Sequence, residues 1–217
     1  MKTALILQAA KEIQLTILAN EASLESLDRA IGDGDHYINM KRGAQAIVAM
    51  QDELAPLSAA LALNKIGLKL LSTLGGASGP LLASFFISMG KQWASAESPH
   101  LSAVALAFDA GVQAIMQRGK AGLGEKTMLD VLIPVAQQFK LLAEQGATAQ
   151  LICAALIETA ELGLQSTLTL IASKGRAAGL GERAIGHLDP GAKSCQLMIT
   201  AVCQLLLPAE KPSNQPA

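Results

Sequence analysis

The sequence has few aromatic residues: one tryptophan, one tyrosine and four phenylalanines among 217 residues. Hydrophobic residues still make up 51% of the chain, so its core must be built mainly from aliphatic side chains. β-Sandwiches draw heavily on aromatic and β-branched residues, whereas leucine, alanine and methionine favour helices. No stretch alternates apolar and polar residues between turn signals, as a half-buried strand would. The composition predicts one all-α domain, and this length suffices for a real core.

The chain also lacks an excess of charge of either sign, with a formal net charge of -1 and a pI near 6.3. A nucleic-acid partner would need a basic face, so we expect none. Three cysteines without a CxxC pair suit free thiols in a reducing compartment. Lys11 and Glu12 come too early for a signal-peptide core, and no uninterrupted apolar run reaches the ~18 residues of a membrane span. We expect a cytoplasmic protein without membrane contact.

Helical periodicity, with apolar residues three and four positions apart, recurs along most of the chain. It predicts eight helices, over residues 3–19, 36–54, 57–74, 78–94, 101–118, 127–145, 148–173 and 190–207. Ser78 before Pro80, and Asp189 before Pro190, are predicted to cap the helices that follow them. Residues 1–207 are therefore predicted to form a single helical domain, and residues 208–217 a flexible C-terminal tail.

The predicted connections that carry glycines and charges follow the first, third, fifth and seventh helices. Consecutive helices joined by short loops run up and down, so every second connection lies at the same end of the bundle. The alternation therefore predicts an up-and-down antiparallel bundle of eight helices, with a functional site in the loops at one rim.

Three aspartates, Asp28, Asp33 and Asp35, lie within eight residues, with glycines between them. Carboxylates at this density repel one another unless a cation neutralises them, and oxygen ligands alone select a hard ion such as Mg²⁺ or Ca²⁺. Ala44 stands where an EF-hand loop beginning at Asp33 would need glutamate, so that calcium loop is excluded. Capping of the following helix by Asp33 or Asp35 stays compatible with metal binding. The cluster is interpreted as a Mg²⁺ site, which points to phosphoryl chemistry.

The turn Gly75-Gly76-Ala77-Ser78-Gly79-Pro80 leads into a predicted helix. An ordinary helix–helix turn needs only one or two glycines, whereas a run of small residues lets phosphate oxygens approach backbone amides and the positive helix end. Either interpretation is open for this segment alone. Beside a Mg²⁺ site, phosphate binding becomes the better one.

Two later segments are weighed in the same way. Residues 119–127 resemble a P-loop, but the spacing is wrong by one residue and a helix precedes them, so a P-loop is rejected. This segment could instead shape a nucleotide pocket, with Met128 as a polarisable wall, although Met128 could equally be plain core. Residues 174–191 could be a solvated surface loop, but Arg176 and Arg183 are suited to binding phosphate.

The motifs taken together resemble the nucleotide-binding L subunit of dihydroxyacetone kinase, of the phosphoenolpyruvate-dependent type. The resemblance rests on residues 27–36 with Asn39, on residues 75–80, on Lys126-Thr127-Met128-Leu129-Asp130 and on residues 181–192, in the family's order. It covers residues 27–194. The resemblance implies an eight-helix barrel that holds ADP or ATP with two Mg²⁺ ions at one rim.

Residue roles follow from the resemblance by position. Asp28, Asp33 and Asp35 would hold the metal ions, and Arg176 would act in catalysis as well as in nucleotide binding. The nucleotide would be lined by His36, Tyr37, Ile38, Asn39, Ala77, Ser78, Gly119, Met128, Arg176, Asp189, Pro190 and Gly191.

The implied partners are a K subunit that binds dihydroxyacetone and a phosphocarrier M subunit of the sugar phosphotransferase system. The phosphocarrier would recharge bound ADP, and the phosphoryl group would pass to dihydroxyacetone on the K subunit. Two alternatives stay open: an ATP-exchanging kinase subunit for another small ketose such as erythrulose, and a nucleotide-state sensor that binds a transcription regulator. A homodimer is also possible.

Overall fold

The structure is a computed structural model that describes residues 1–96 and 100–207, and in these residues it contains helices and no β-strand. The predicted tail at 208–217 lies outside the described residues. The α-helices are α1 (Thr3–Ala19), α2 (Glu21–Ile31), α3 (His36–Val48), α4 (Gln51–Leu54), α5 (Ala59–Thr73), α6 (Ser78–Ala94), α7 (Leu101–Gly119), α8 (Leu129–Glu144), α9 (Ala149–Ser166) and α10 (Pro190–Leu206), with 3-10 turns at Thr167–Thr169 and Arg176–Ala184. The predicted all-α fold is confirmed.

Eight of these helices form a closed ring. Each of α1, α3, α5, α6, α7, α8, α9 and α10 packs on the next in that order, and α10 packs on α1. Consecutive members are joined by connections that reverse the chain, so neighbours run antiparallel. Thr3 at the start of α1 donates to the carbonyl of Leu57, just before α5 begins, which places both positions at the same end of the ring. The predicted eight-helix antiparallel barrel is confirmed.

The core is aliphatic and follows the ring. One large cluster lies among α7, α8, α9 and α10 and includes Val112, Val131 and Leu164. A second joins α5 and α6 to α1 and α4 around Leu54 and Ile66. The few phenylalanines pack edge-on between α6 and α7, where the rings of Phe85 and Phe108 are 5.4 Å apart.

The structure adds a helix, α2, that is not among the predicted helices. The predicted helices leave residues 20–35 as a connection, but Glu21–Ile31 is a helix that packs on α3 and α10. Its buried residues Leu24, Asp28 and Ile31 recur at spacings of four and three, which is the signal that was overlooked. Asp28 therefore comes from the last turn of a helix and not from a loop.

Two predicted helices are shorter than expected. The helix predicted over 36–54 is broken into α3 and α4 by a turn after Val48. The helix predicted over 148–173 ends at Ser166, where the Thr167 hydroxyl bonds back to the carbonyl of Leu164 and a 3-10 turn follows. Such a local side-chain bond competes with the helical pattern.

Asp189 caps α10 as predicted, since its Oδ2 accepts from the amide of Ala192 at 2.7 Å. The predicted cap at Ser78 is wrong. Ser78 is the first residue of α6, and its hydroxyl donates to the carbonyl of Gly75 at 3.1 Å instead.

By length and composition alone, the segment Ala149–Thr169 could cross a membrane. In the structure, α9 packs between α8 and α10 and buries Ile152, Leu156, Ala160 and Leu164 in the larger cluster. It is a core helix of the ring.

Close helix contact depends on glycine at several positions, and Gly163 is the tightest. A Cβ there would lie 2.5 Å from the carbonyl oxygen of Asp130 and 2.9 Å from Cα of Val131, both backbone atoms of α8. Gly163→Ala should therefore destabilise the fold by about 1–3 kcal/mol, since α8 and α9 must move apart. Chemical denaturation measures the change.

The matched control is Gly179→Ala, where an added Cβ meets no described atom within 4 Å. This control should stay within about 0.5 kcal/mol of the parent. Equal stability of the two variants would show that α8 and α9 tolerate a wider spacing.

Candidate functional site

A cavity of about 710 Å³ opens at one end of the ring. Its walls come from the connections that follow α2, α5, α7 and α9, together with the helix ends beside them. These are the four connections that the alternation argument placed together, so the structure brings the predicted site segments to one rim.

Most of the predicted site residues line this cavity. They are Asp28, Asp33, Asp35, His36, Asn39, Ala77, Ser78, Gly119, Met128, Arg176, Asp189, Pro190 and Gly191. Tyr37 and Ile38 are absent from this lining. In helix α3 successive residues turn by about 100°, so His36 and Asn39 share the cavity face while the two residues between them do not. Tyr37 is 3% exposed and packs on Ile17 and Leu24, and Ile38 is 51% exposed. The structure therefore does not support side-chain contacts from these two residues to a nucleotide.

The three aspartates converge at one side of the cavity. One carboxylate oxygen of each lies within 4.8 Å of the others, although Asp28 belongs to α2 and the other two to the following turn. Gly32 makes this approach possible, because a Cβ at that position would lie 1.8 Å from Oδ1 of Asp28. No side chain fits there, so the turn must carry glycine.

The start of helix α3 is capped by one of the three aspartates. The amide of His36, which begins α3, donates to Oδ2 of Asp28 at 2.9 Å. Among the described residues, Asp35 directly before α3 makes no capping hydrogen bond with its side chain. The capping role thus falls to Asp28, which is 4% exposed, and Asp33 and Asp35 keep their carboxylates at the cavity.

The guanidinium of Arg176 balances part of the negative charge of the three aspartates. Arg176 Nε lies 2.7 Å from Oδ2 of Asp33, and these side chains are 69% and 37% exposed. The pairing follows from packing, since Ile31 at the end of α2 packs on Ala172, Ala177 and Ala184 around the 3-10 turn. One guanidinium cannot offset three carboxylates. The all-oxygen donor set suits a hard divalent cation such as Mg²⁺.

His36 links the cluster to α10. Its Nε2 lies 2.6 Å from the hydroxyl oxygen of Ser194. Burial lowers the pKa of the His36 imidazole, against the opposite pull of the Asp28, Asp35 and Asp33 carboxylates. The contact fixes the ring, and with it the start of α3, against the first turns of α10.

Part of the cavity lining is apolar. Leu81, Ile115, Met128 and Leu129 contribute to it. A Cβ on Gly119 would lie 3.3 Å from Cδ2 of Leu81, so glycine keeps this part of the wall open. The cavity thus combines a carboxylate cluster with apolar surface.

The segment between α7 and α8 is held by its own carboxylates. Asp130 accepts from the amides of Gly124 at 2.5 Å and Thr127 at 2.7 Å, and Glu125 accepts from the amide of Gly122 at 2.5 Å. These amides cannot form the phosphate cradle of a P-loop, which is consistent with the rejection of that motif.

The segment also binds to the connection between α9 and α10. Glu125 accepts from the Ser173 hydroxyl at 2.7 Å and lies 3.8 Å from Nζ of Lys174. Lys126 points the other way, into the protein, and its Nζ donates to the carbonyls of Thr167 and His187. Glu125 and Lys126 therefore connect the segment between α7 and α8 to the segment between α9 and α10.

Several lining residues are not among the predicted site residues. Leu81 and Ile115 belong to the apolar pattern of helices, and Lys126 is buried through tertiary contacts that no local pattern indicates. Lys174 lies beside Arg176 in the polar segment 174–191, where the sequence predicts phosphate binding only for Arg176 and Arg183. Arg183, by contrast, lies outside the cavity lining, and its Nε donates to the carbonyl of Leu180 at 3.4 Å.

Comparison with known proteins gives consistent results. The profile of the DAK2 domain matches residues 30–204. The ADP-binding subunit of the PEP-dependent dihydroxyacetone kinase of Escherichia coli (strain K12) is 42% identical over 176 residues, 81% of this chain and 84% of that protein. The ADP-binding subunit of PEP-dependent dihydroxyacetone kinase 2 of Listeria innocua serovar 6a is 40% identical, over 84% of this chain and 85% of that protein.

Longer proteins contain a similar region. The triokinase/FMN cyclase of Rattus norvegicus is 33% identical over 89% of this chain, which corresponds to 33% of that protein. The fold is similar to the crystal structure of the dihydroxyacetone kinase from C. freundii in complex with AMP-PNP and Mg²⁺. The TM-score is 0.73 at 25% identity, over 93% of this chain and 34% of that one. The resemblance drawn from the motifs is confirmed.

A pH dependence follows from the burial of Asp189. Burial raises the pKa of this carboxyl from 3.8 to about 7, and the neighbouring Asp130 carboxylate contributes in the same direction. Between these two pH values the folded protein binds more protons than the unfolded chain, so this group's contribution to stability falls as the pH rises. Asp189→Asn removes the titration and keeps an oxygen for the amide of Ala192. The variant should therefore gain stability relative to the parent as the pH rises from 4 to 7. Above pH 7 the difference between their free energies of unfolding should stay constant.

Chemical denaturation over a pH series measures this difference. Asp52→Asn, an exposed substitution on α4, is the control. It shows how the free energy of unfolding changes with pH when a carboxyl that is not buried is removed. A difference between Asp189→Asn and the parent that stays constant from pH 4 to pH 8 would contradict the assignment.

Proposed function

The chain belongs to the DAK2 domain family, and we propose that it is the subunit of a dihydroxyacetone kinase that carries ADP or ATP with Mg²⁺. The observation that carries the proposal is the combination of two kinds of surface in one cavity. Three carboxylates lie within 4.8 Å of one another, and apolar side chains contribute to the same lining. A magnesium nucleotide needs both, since its phosphates are charged and its base is flat.

The apolar part of the lining suits the base. Leu81, Ile115 and Met128 offer aliphatic and thioether surface, and Gly119 leaves the wall open beside Leu81. The turn from Gly75 to Ser78 also lines the cavity, at the start of α6, where amides and the helix dipole favour phosphate. The relatives named as ADP-binding subunits support a nucleotide as the ligand.

Asp28, Asp33 and Asp35 fit a divalent cation, and we propose that they hold two Mg²⁺ ions. When bound, Mg²⁺ would neutralise phosphate charge and stabilise the charge of the transferring group. The chain's own contribution is to hold the carboxylates in place through Gly32 and the amide of His36. Arg176, which is mostly exposed beside Asp33, is placed to turn from that carboxylate to a phosphate oxygen.

The proposed reaction passes a phosphoryl group through this cavity. A phosphocarrier would recharge the bound ADP, and the product ATP would phosphorylate dihydroxyacetone held by a K subunit, in the cytoplasm. The relatives support the PEP-dependent type: the two that are named as ADP-binding subunits of PEP-dependent kinases are 42% and 40% identical to this chain, whereas the triokinase/FMN cyclase is 33% identical.

Thermal unfolding with and without nucleotide tests the proposal. Mg²⁺-ADP should raise the melting temperature by about 10 °C at a thousandfold excess over its dissociation constant, since linkage gives about 4 kcal/mol. Asp35→Asn should fold normally and lose most of the Mg²⁺-dependent part of the shift, because a neutral amide is a poor substitute for a carboxylate on Mg²⁺.

Asp52→Asn on α4, which lies outside the cavity lining, is the matched control and should respond as the parent does. The proposal fails if Mg²⁺-ADP leaves the melting temperature of the parent unchanged. A full Mg²⁺-dependent shift in Asp35→Asn would remove Asp35 from the metal site.

Arg176 is expected to act on the transferring group. Arg176→Lys keeps the charge and loses the two-pronged geometry, so it should slow transfer and preserve much of the nucleotide affinity. Arg176→Ala should slow transfer further, by about 10²-fold or more, as the loss of an oriented charge does elsewhere. Single-turnover transfer from preloaded ATP to dihydroxyacetone on the K subunit measures both.

Arg183 provides the control, since it lies in the same segment but outside the cavity lining. Arg183→Ala should transfer at the parent rate. If the Arg176 variants also reach that rate, Arg176 serves only to pair with Asp33.

A further inference from the structure

The side chain of Lys126 is buried beneath the cavity, and nothing in the proposed reaction uses it. The residue is 1% exposed, and its Nζ donates to the carbonyl of Thr167 and, at 2.6 Å, to the carbonyl of His187. It also has a left-handed backbone, with φ of 58°. Lysine is almost never fully buried without partners, and a left-handed φ is uncommon outside glycine, asparagine and aspartate. A residue with both properties is expected to have a specific role.

The contacts of Lys126 connect three parts of the rim. Lys126 itself belongs to the connection between α7 and α8, two residues before Met128 in the cavity wall. Thr167 lies at the end of α9, and His187 lies two residues before Asp189. The Thr167 hydroxyl oxygen accepts from the amide of Asp189 at 3.1 Å, so the network continues to the first turn of α10.

The segments that Lys126 joins are neighbours in the lining of the cavity, which includes Met128 from one segment and Asp189, Pro190 and Gly191 from the other. They are in contact, because a Cβ on Gly191 would lie 3.6 Å from Cβ of Met128. The relative position of the two segments therefore depends on the amino group of Lys126. Asp130 and Asp189 supply the nearby negative charge.

We propose that Lys126 is a positioning residue for nucleotide binding, which holds the lining at Met128 against the lining at residues 189–191 so that both segments face the nucleotide. This inference rests on the proposed function. It assigns Lys126 an effect on affinity, and it assigns the transfer step to the aspartates and Arg176.

Two variants separate the amino group from the backbone. Lys126→Met removes the nitrogen and keeps the strained φ, whereas Lys126→Gly removes the nitrogen and relieves the strain. Both should weaken Mg²⁺-ADP binding by about tenfold or more, since the carbonyls of Thr167 and His187 lose their donor and the two lining segments shift. The transfer rate at saturating nucleotide should change by less than the affinity.

The control is Leu54→Ala, which removes buried side-chain atoms in α4, outside the cavity lining. It lowers stability without touching the site, so its affinity for Mg²⁺-ADP should stay within about twofold of the parent. A rescue experiment adds a second criterion. n-Butylamine has the length of the deleted side chain, and Lys126 borders the cavity, so the amine should restore binding in Lys126→Gly and leave the parent unchanged.

Isothermal titration calorimetry with Mg²⁺-ADP distinguishes the outcomes. If the parent binds and both Lys126 variants bind within twofold of it, the inference is overturned and the proposed function stands. If the parent does not bind, both fail. Should neither variant fold, Lys126→Gln replaces them, because its side chain keeps a donor but is one atom too short to reach both carbonyls as Nζ does. Unchanged affinity in that variant also overturns the inference.

Discussion

The mutual repulsion of three carboxylates is the constraint on which the rest of this site depends. Asp28, Asp33 and Asp35 lie within 4.8 Å of one another, which is unfavourable without compensation. The surrounding structure supplies part of that compensation: the amide of His36 bonds to Asp28, and Arg176 pairs with Asp33. The remaining negative charge is what a divalent cation would neutralise. The cluster is thus held by one neutral donor and by one cation.

The closed ring provides the rigidity that such a cluster requires. Because antiparallel neighbours are joined in sequence, the loops that carry glycines and charges lie at one end, above a packed aliphatic core. Polar contacts then fix those loops to one another, through Glu125 and Ser173 on the exposed side and through Lys126 on the inner side. The helices thus set the positions of the loops, and the loops and adjoining helix ends carry the candidate site.

The sequence was sufficient for features that depend on local pattern. Helical spacing predicted the ring helices, and short connections predicted that four loops would share a rim. It was insufficient where tertiary contacts decide. Residues 21–31 are helical with an apolar face interrupted by Asp28, which made them look like part of a loop. Tyr37 and Ile38 turn away from the cavity because of helix geometry, and Lys126 is buried by contacts with residues 41 and 61 positions later in the chain.

The closure of the ring between α1 and α10 also fixes where additions to the chain are tolerated. The start of α1 lies beside Leu57, and antiparallel α10 begins at the cavity and ends at Leu206, away from it. Both positions are therefore remote from the mouth of the cavity. A purification tag, a fluorescent reporter or a second protein can be fused at either position without obstructing entry. The start of α1 and the end of α10 lie at the same end of the ring. A linker could join them in a circularly permuted chain that is opened at another loop.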